Sequence, residues 1–219
     1  AGYEPWRQYT AQPSEIAKVA VIFFFSSMIS TYSEKMRTFR YGVLPFVLVL
    51  GTIGGLQLSA RSSAFIGSVL LWIFVFGLGL WVIRLPWGAL LLGGLLLVAL
   101  HWGSILTHHL GHAIAARRTG YPMTGVQLWG LLGRSLYPAA EPALPGRVHI
   151  RRAMGGPIAS TLLGLAAAVL TILLRPAAGL TWWLALFVTL DNLVILGPGA
   201  LLPLGFTDGS TILHWRGRR

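Results

Sequence analysis

The chain has 219 residues, of which 55% are hydrophobic and only 11% are charged, and its mean hydropathy is +0.70. In soluble domains about a quarter of all residues are charged. This composition therefore excludes an ordinary soluble protein and predicts an integral membrane protein. There is no cysteine, which excludes disulfides, thiolate metal sites and a cysteine nucleophile. The net charge of +11 comes from short basic clusters between apolar runs, a pattern typical of topology signals and lipid contacts rather than of nucleic-acid binding.

Six segments approach the length of about 20 apolar residues that a membrane-spanning helix needs. They cover residues 16–33, 41–59, 64–83, 87–116, 155–174 and 181–203. The first segment is the weakest, because it is short and rich in serine. We therefore predict an all-α polytopic membrane protein with about six transmembrane helices. Residues 1–86 hold N-terminal spans of unassigned role, and residues 87–219 form a membrane core that carries the motifs described below.

The largest polar element is the segment 117–153, which holds six arginines among scattered Gly and Pro. Its stretch "GVQLWGLLG" has β character, so we predict a short β-containing loop. Twelve Lys and Arg residues fall on the side of this loop and five on the other side. Because cytoplasmic loops carry the excess of basic residues, the loop and both termini are predicted to be cytoplasmic.

The stretch "THHLGHAIAARRTG", residues 107–120, places three histidines in a predicted membrane helix, where ionisable side chains are costly and usually functional. His108 and His112 are four residues apart, so their Cβ atoms share one helix face about 5–6 Å apart. This is the spacing of a two-histidine zinc site. The spacing alone leaves two alternatives open, namely a buried hydrogen-bonded pair and ligation of a haem or chlorin ring.

Three motifs resemble those of the site-2 protease family, the M50-like intramembrane zinc metalloproteases. "HHLGHAIAARRTG" resembles the first motif, HExxH, with His109 in the place of its glutamate. "RRAMGGPIASTLLG" is similar to the family's GPxxN segment, with Ser160 in the place of Asn. "ALLPLGFTDGSTIL" is similar to NLLPxxxLDGG, with Ala200 in the place of Asn. The resemblance covers residues 100–213, about half of the chain, and implies a site-2-protease-like core.

The resemblance implies a metal site, most simply zinc, held by His108, His112 and Asp208. A catalytic zinc takes three protein ligands and leaves one position for water, whose pKa falls to about 7. The charge of the ion would also compensate an aspartate that follows an apolar run, where a lone carboxylate is costly. In the family, the two Asn positions bind substrate backbone. Ser160 keeps a hydroxyl there, and Asn192, eight residues before Ala200, is a candidate to compensate for the second.

His109 occupies the position of the usual catalytic glutamate, the general base of the family's reaction. An imidazole can accept a proton, but a nearby divalent cation disfavours the imidazolium. We consider three roles for His109: a satisfied polar residue at a helix–helix contact, an alternative catalytic base, or an axial ligand of a haem or pigment. No other acid is a clear replacement, since Glu141 is expected to be a solvated loop acid and Asp191 to pair with Asn192 or an arginine.

The remaining histidines are expected to lie outside the metal site. His101 is seven residues before His108, about 10 Å along the helix axis, so it cannot share the same ion. We expect it to line the same cavity or to be buried against a neighbouring helix. Two further histidines are expected to be solvated: His149 and His214.

Retained metal ligands together with the lost glutamate predict a site-2-protease-like membrane protein that is proteolytically impaired or inactive. Its expected role is that of an accessory or structural subunit of a membrane complex. The alternative is an active intramembrane zinc metalloprotease that cleaves transmembrane substrates, and a weaker alternative is a haem- or chlorin-ligating membrane subunit. The expected partners are the lipid bilayer and a membrane protein or a transmembrane-helix substrate, without nucleic acid.

Overall fold

The computed structural model describes residues 52–53, 55–83, 86–177 and 179–218. Within these residues, four helical segments are long and apolar enough to cross a membrane. They are Ser62–Trp81, Trp87–Arg118, Gly146–Leu174 and Leu180–Leu201. They match the last four predicted spans, and the chain is an integral membrane protein. The predicted span 16–33 and most of the predicted span 41–59 lie outside the described residues.

The helices follow one another with short breaks. In chain order they are α1 (Ser62–Leu78), α2 (Trp87–Arg118), α3 (Gly146–Leu174), α4 (Leu180–Leu190) and α5 (Asp208–Trp215). Pro86 directly precedes α2 and Pro145 directly precedes α3, positions where a missing backbone N–H costs nothing. The helix α4 continues as a π-helical segment, Asp191–Leu196, and such widened turns are frequent at functional sites.

A small sheet lies beside the helices. It consists of β1 (Thr52–Ile53), β2 (Leu56–Ala60), β3 (Gly125–Trp129) and β4 (Leu132–Leu136), in that order. The strands β3 and β4 form an antiparallel hairpin, so the β character predicted for the polar loop is confirmed. The strand β2 pairs with β3 in parallel. The end of the predicted span 41–59 is therefore wrong: in "LQLSA" apolar and polar residues alternate with the period of a strand.

The helix α2 lies at the centre of the described core. It packs against α1, α3 and α4 and also contacts β4. Gly111 of α2 and Gly155 of α3 touch so closely that a Cβ atom on either one would overlap the backbone of the other. Between the sheet and α2 lies a cluster of buried apolar side chains that includes Ile105, Ala116 and Val126. This packing fixes the β3–β4 hairpin against the half of α2 that carries the histidines.

Candidate metal centre

The side chains of His108, His112 and Asp208 meet at one point. The Nε2 atoms of the two histidines are 3.0 Å apart. The carboxylate of Asp208 lies 3.2 Å from Nε2 of His108 and 3.3 Å from Nε2 of His112. Among the residues that the structure describes, these three are the group of His, Asp and Glu side chains arranged to hold a metal ion. The sequence interpretation named the same three residues.

This cluster fits a tetrahedral zinc ion. Bonds of about 2.0–2.1 Å at tetrahedral angles set neighbouring ligand atoms about 3.3 Å apart, close to the three separations given above. Gly156 of α3 contributes space, because a Cβ atom at this position would overlap Nε2 of both histidines. The donor set of two imidazoles and one carboxylate also suits zinc. The residues present therefore fit the metal that the sequence motifs imply.

Hydrogen bonds to the far side of each imidazole orient both rings. Nδ1 of His112 donates to the backbone carbonyl of Arg152 over 2.8 Å, and Nδ1 of His108 lies 3.0 Å from the hydroxyl of Ser160. With the proton on Nδ1, each Nε2 presents a lone pair to the cluster, the arrangement usual behind metal-binding histidines. Ser160 is fully buried and engaged with His108; its role as a substrate contact stays a prediction.

Asp208 is the first residue of α5 and is held by the loop before it. The hydroxyl of Thr207 donates to the backbone carbonyl of Leu202 and lies 3.0 Å from the hydroxyl of Ser210. Burial alone would raise the pKa of the Asp208 carboxyl, but the adjacent imidazoles of His108 and His112 outweigh it and hold the pKa at about 2. Asp208 is thus ionised at neutral pH, the form in which a carboxylate binds a cation.

His109 points to the sheet. Its side chain is buried, and Nδ1 lies 3.0 Å from the hydroxyl of Ser135 on β4. Nε2 faces Gly133 of β4, where a Cβ atom would overlap the ring. His109 is therefore a satisfied polar residue, as one of the three considered roles requires. Its partner is a strand of the sheet rather than a helix, so the expected helix–helix contact is wrong.

A cavity of about 650 Å³ opens beside the cluster. Its walls include all three candidate ligands, His109 and the strand β4. Ala200, which stands at one of the family's Asn positions, also lines it. The cavity gives water and an extended ligand a route to the cluster. The methyl group of Ala200 in its wall cannot form the hydrogen bonds that an Asn side chain would offer to such a ligand.

Arg152 ties the polar loop to α3. Its guanidinium donates to the Glu141 carboxylate over 3.0 Å and to the backbone carbonyl of Tyr121 over 2.6 Å, and it lies 4.3 Å from the centre of the Tyr137 ring. Hydrogen bonds from Arg152 lower the pKa of Glu141. The expectation that Glu141 is a solvated loop acid is wrong. The backbone of the same arginine holds His112, so the loop and the metal ligand share one support.

A second polar cluster joins α2 to the π-helical segment. Nδ1 of His101 lies 3.1 Å from the carboxylate of Asp191, and its Nε2 donates to the carbonyl of Leu131 over 2.9 Å. Beside this pair, the amide of Asn192 donates to the hydroxyl of Ser104 over 2.8 Å, and the Asn192 Oδ1 has no hydrogen-bond donor among the described residues. His101 is thus buried against a neighbouring helix, one of its two expected positions. The expected partners of Asp191 are wrong, because it pairs with His101.

Replacement of Asp191 with Ala is expected to destabilise the protein by about 1–3 kcal/mol, because it leaves a nitrogen of the buried His101 ring without its hydrogen-bond partner. Denaturant unfolding of the protein in mixed micelles measures this loss. The double variant His101→Leu with Asp191→Leu serves as the control, since replacing both members of a buried pair with apolar residues is close to neutral. A loss below about 1 kcal/mol for Asp191→Ala would contradict a structural role of the pair.

The last two histidines lie near α5. His149 is half-buried, and its ring stacks on Trp215 with centres 4.1 Å apart. The expectation that it is a solvated residue is wrong, because α5 covers it. His214 is exposed and lies 3.2 Å from the guanidinium of Arg218.

The sequence interpretation missed the support given by Arg152 and Gly133. Arg152 lies four residues before the Gly-Pro pair and was counted only as a topology signal. Its residue type was the one signal available, since an arginine that becomes buried needs a partner, but the sequence prediction placed residue 152 in the polar loop and not in a helix. Gly133 carried no such signal, because its contact with His109 depends on where the hairpin packs.

Comparison with known proteins gives two curated relatives. Both carry the name "Putative zinc metalloprotease Rip3", from two strains of Mycobacterium tuberculosis, and each is 32% identical over 184 residues that cover 76% of this chain. The chain spans 43% of the length of these relatives. A solved structure, "Site-2 Protease from Methanocaldococcus jannaschii", is 21% identical with a TM-score of 0.49, covering 75% of this chain and 68% of that one. No family model matches the chain.

Proposed function

Because the chain belongs to the site-2-protease-like (M50-like) family of membrane zinc metalloproteases, we propose that it binds zinc through His108, His112 and Asp208 but has little or no proteolytic activity. Its role is that of an accessory or structural subunit of a membrane complex. The termini and the polar loop face the cytoplasm, in line with the distribution of Lys and Arg along the chain. The partner is a membrane protein that the sequence does not name.

The orientation of His109 carries this proposal. A general base must lie within hydrogen-bond reach of the proton that it removes. The ring of His109 borders the cavity, 5.4 Å and 5.5 Å from the rings of His108 and His112, but its two nitrogens face Ser135 and Gly133 of β4 instead of the cluster. A histidine fixed in this way supports the hairpin. The position that supplies the base in the family thus serves packing in this chain.

The remaining residues of the site favour metal binding over catalysis. Zinc held by three protein ligands acts as a Lewis acid and activates water at neutral pH. The chain keeps the groups that would hold and orient it, namely the three ligands with Ser160 and the carbonyl of Arg152 behind them. It lacks the carboxylate at residue 109 and the amide at residue 200. Asn192 does not replace that amide directly, since the N–H of its own side-chain amide donates a hydrogen bond to the hydroxyl of Ser104.

A cleavage assay tests the proposal. The purified chain in lipid nanodiscs is incubated with a panel of transmembrane-helix peptides, and products are followed by mass spectrometry. We expect no cleavage above that of the Asp208→Ala variant, which lacks a carboxylate in the cluster. Cleavage by the wild type that Asp208→Ala abolishes would overturn the proposal and assign the chain to its alternative, an active intramembrane metalloprotease. The retained ligand set and the 650 Å³ cavity are the observations that favour this alternative.

The ligand spacing argues against the haem or chlorin alternative. The Nε2 atoms of His108 and His112 are 3.0 Å apart, too close for a planar macrocycle to lie between them. The third imidazole, that of His109, has both nitrogens directed at β4, so neither faces outward as an axial ligand. A visible absorption spectrum of the purified protein decides the matter, since a bound haem or chlorin would colour it.

A further inference from the structure

A second concave surface lies between α2 and α3, on a different face of α2 from the metal cavity. This groove has a volume of about 600 Å³. Its floor consists of small residues at the helix contact, and its walls are apolar. At one end it is bordered by two arginines, Arg118 of α2 and Arg151 of α3. The proposed function uses none of these residues.

The close approach of the two helices forms the groove. Gly111 and Gly155 bring the helix backbones into contact, so the larger side chains on either side stand above a shallow floor. Those of Ile114, Ile158 and Leu162 are 54%, 51% and 63% exposed. Both walls belong to helices that are long and apolar enough to cross a membrane, so acyl chains are the natural neighbours of these exposed apolar side chains.

Two exposed arginines carry the charge at the end of the groove. Arg118 is the last residue of α2, and Arg151 lies near the start of α3. The antiparallel packing of the helices brings the two arginines to the same end. Both are exposed, and within the described ranges neither guanidinium has an acidic partner. Two unpaired guanidinium groups above an apolar groove favour an anionic amphiphile.

The length of the groove matches that of a lipid in one leaflet. Arg151 and Leu162 are eleven residues apart on α3, or about 16 Å at 1.5 Å per residue. Half of the hydrocarbon core of a bilayer is about 15 Å thick. A phosphate near the arginines would therefore allow an acyl chain to run along the apolar walls to the middle of the bilayer.

We propose that this groove binds an anionic phospholipid. The phosphodiester lies between Arg118 and Arg151, where planar guanidinium groups can bind phosphate oxygens in pairs, and the headgroup beyond it carries no compensating cation. One acyl chain packs along Ile158 and Leu162. Basic pockets between transmembrane helices are suited to anionic headgroups, and the proposal does not depend on zinc binding or on proteolysis.

Native mass spectrometry of the full chain in detergent tests this site. The protein is titrated with phosphatidylglycerol and, separately, with phosphatidylcholine of the same acyl chains. We expect the wild type to prefer phosphatidylglycerol and the double variant Arg118→Ala with Arg151→Ala to bind it about thirtyfold more weakly, since each arginine near an anionic lipid contributes a factor of about five. The variant should lose the preference over phosphatidylcholine as well.

Two further variants complete the test. The double variant Arg175→Ala with Arg216→Ala removes the same charge from exposed positions outside the groove and should keep the wild-type affinity. Ile158→Trp fills the groove without changing the charge and should weaken binding of both lipids. Undiminished affinity of the Arg118/Arg151 variant, or an equal loss in the control, would overturn the proposal. Lipid-free dimers that Ile158→Trp dissociates would also overturn it, because they would assign the groove to a second copy of the chain.

Discussion

Replacement of His112 with Ala is expected to abolish stoichiometric zinc binding. The variant keeps one imidazole and one carboxylate, and two ligands do not hold zinc against chelation. Loss of a hydrogen bond behind a ligand already costs 10–100-fold in metal affinity, so loss of the ligand itself should cost more than about a hundredfold. Competition with a chromophoric chelator, followed by elemental analysis of the dialysed protein, measures the difference.

Two matched variants sharpen this experiment. His214→Ala removes an exposed histidine from α5 and should leave zinc binding unchanged. Ser160→Ala removes the hydrogen-bond partner of His108 but no ligand, so the affinity should fall by about 10–100-fold. Equal zinc content in His112→Ala and the wild type would contradict the proposed ligand set. A loss in His214→Ala as large as in His112→Ala would show that the metal is bound by scattered surface histidines.

The candidate ligands could be predicted from the sequence because each is identified by a short stretch of neighbouring residues. The spacing of His108 and His112 along one helix fixes their relative position, and Asp208 follows a motif that the resemblance places in the same site. The four long apolar segments were predictable for a similar reason, since each is a continuous property of about 20 residues. The structure needs only to bring three short stretches together.

The sheet could not be predicted in full because strand pairing is not local. The pairing of β2 with β3 joins Gln57 to Gly125, positions that no sequence window contains together. An average over a long window also conceals the alternation in "LQLSA", so a hydropathy profile extends the preceding apolar run into the strand. Only the hairpin β3–β4 was accessible, since its strands are adjacent in the chain.

The supports of the site were hidden for the same reason. Glu141 and Arg152 are eleven positions apart in the chain, with a proline-rich loop between them. The sequence is the same whether Glu141 is solvated or forms an ion pair with Arg152, so it does not distinguish the two. The partner of His101 is ninety residues away, at Asp191. Sequence reasoning could assign the partner of Asp191 only from neighbouring residues or from residue type, which gave Asn192 or an arginine instead of His101.

The meaning of His109 depends on the structure more than that of any other residue in the site. From the sequence it is a substitution at the position of a catalytic base, and three roles remain open. From the structure it is a buried ring between α2 and β4, with its nitrogens directed at the hairpin. This difference leads to the prediction with the largest effect on activity, because general-base catalysis contributes about 10²–10⁴-fold in rate.

Replacement of His109 with Glu is expected to raise peptide cleavage at least about a hundredfold over the wild type, the lower end of the contribution of a general base. The more flexible carboxylate side chain can turn from β4 into the cavity, whose wall already includes residue 109, while Ser135 regains solvent or a water partner. Ala200 still lacks the family's amide, so full family activity is not expected. Cleavage of the transmembrane-peptide panel in nanodiscs, with the zinc content of each sample, measures the gain.

His109→Gln is the matched control, because it has nearly the same shape as His109→Glu but no ionisable group, and it should stay at the wild-type rate. The combination of His109→Glu with Asp208→Ala should also return to that rate, since it removes a candidate zinc ligand. An inactive His109→Glu variant that is folded and binds zinc would show that the missing carboxylate is not what limits hydrolysis, and would move the cause to residue 200. A wild type as fast as His109→Glu would make the imidazole itself a competent base. In the first failure neither protein cleaves the peptides and in the second both do, so one assay separates a site that lost its base from a site that replaced it.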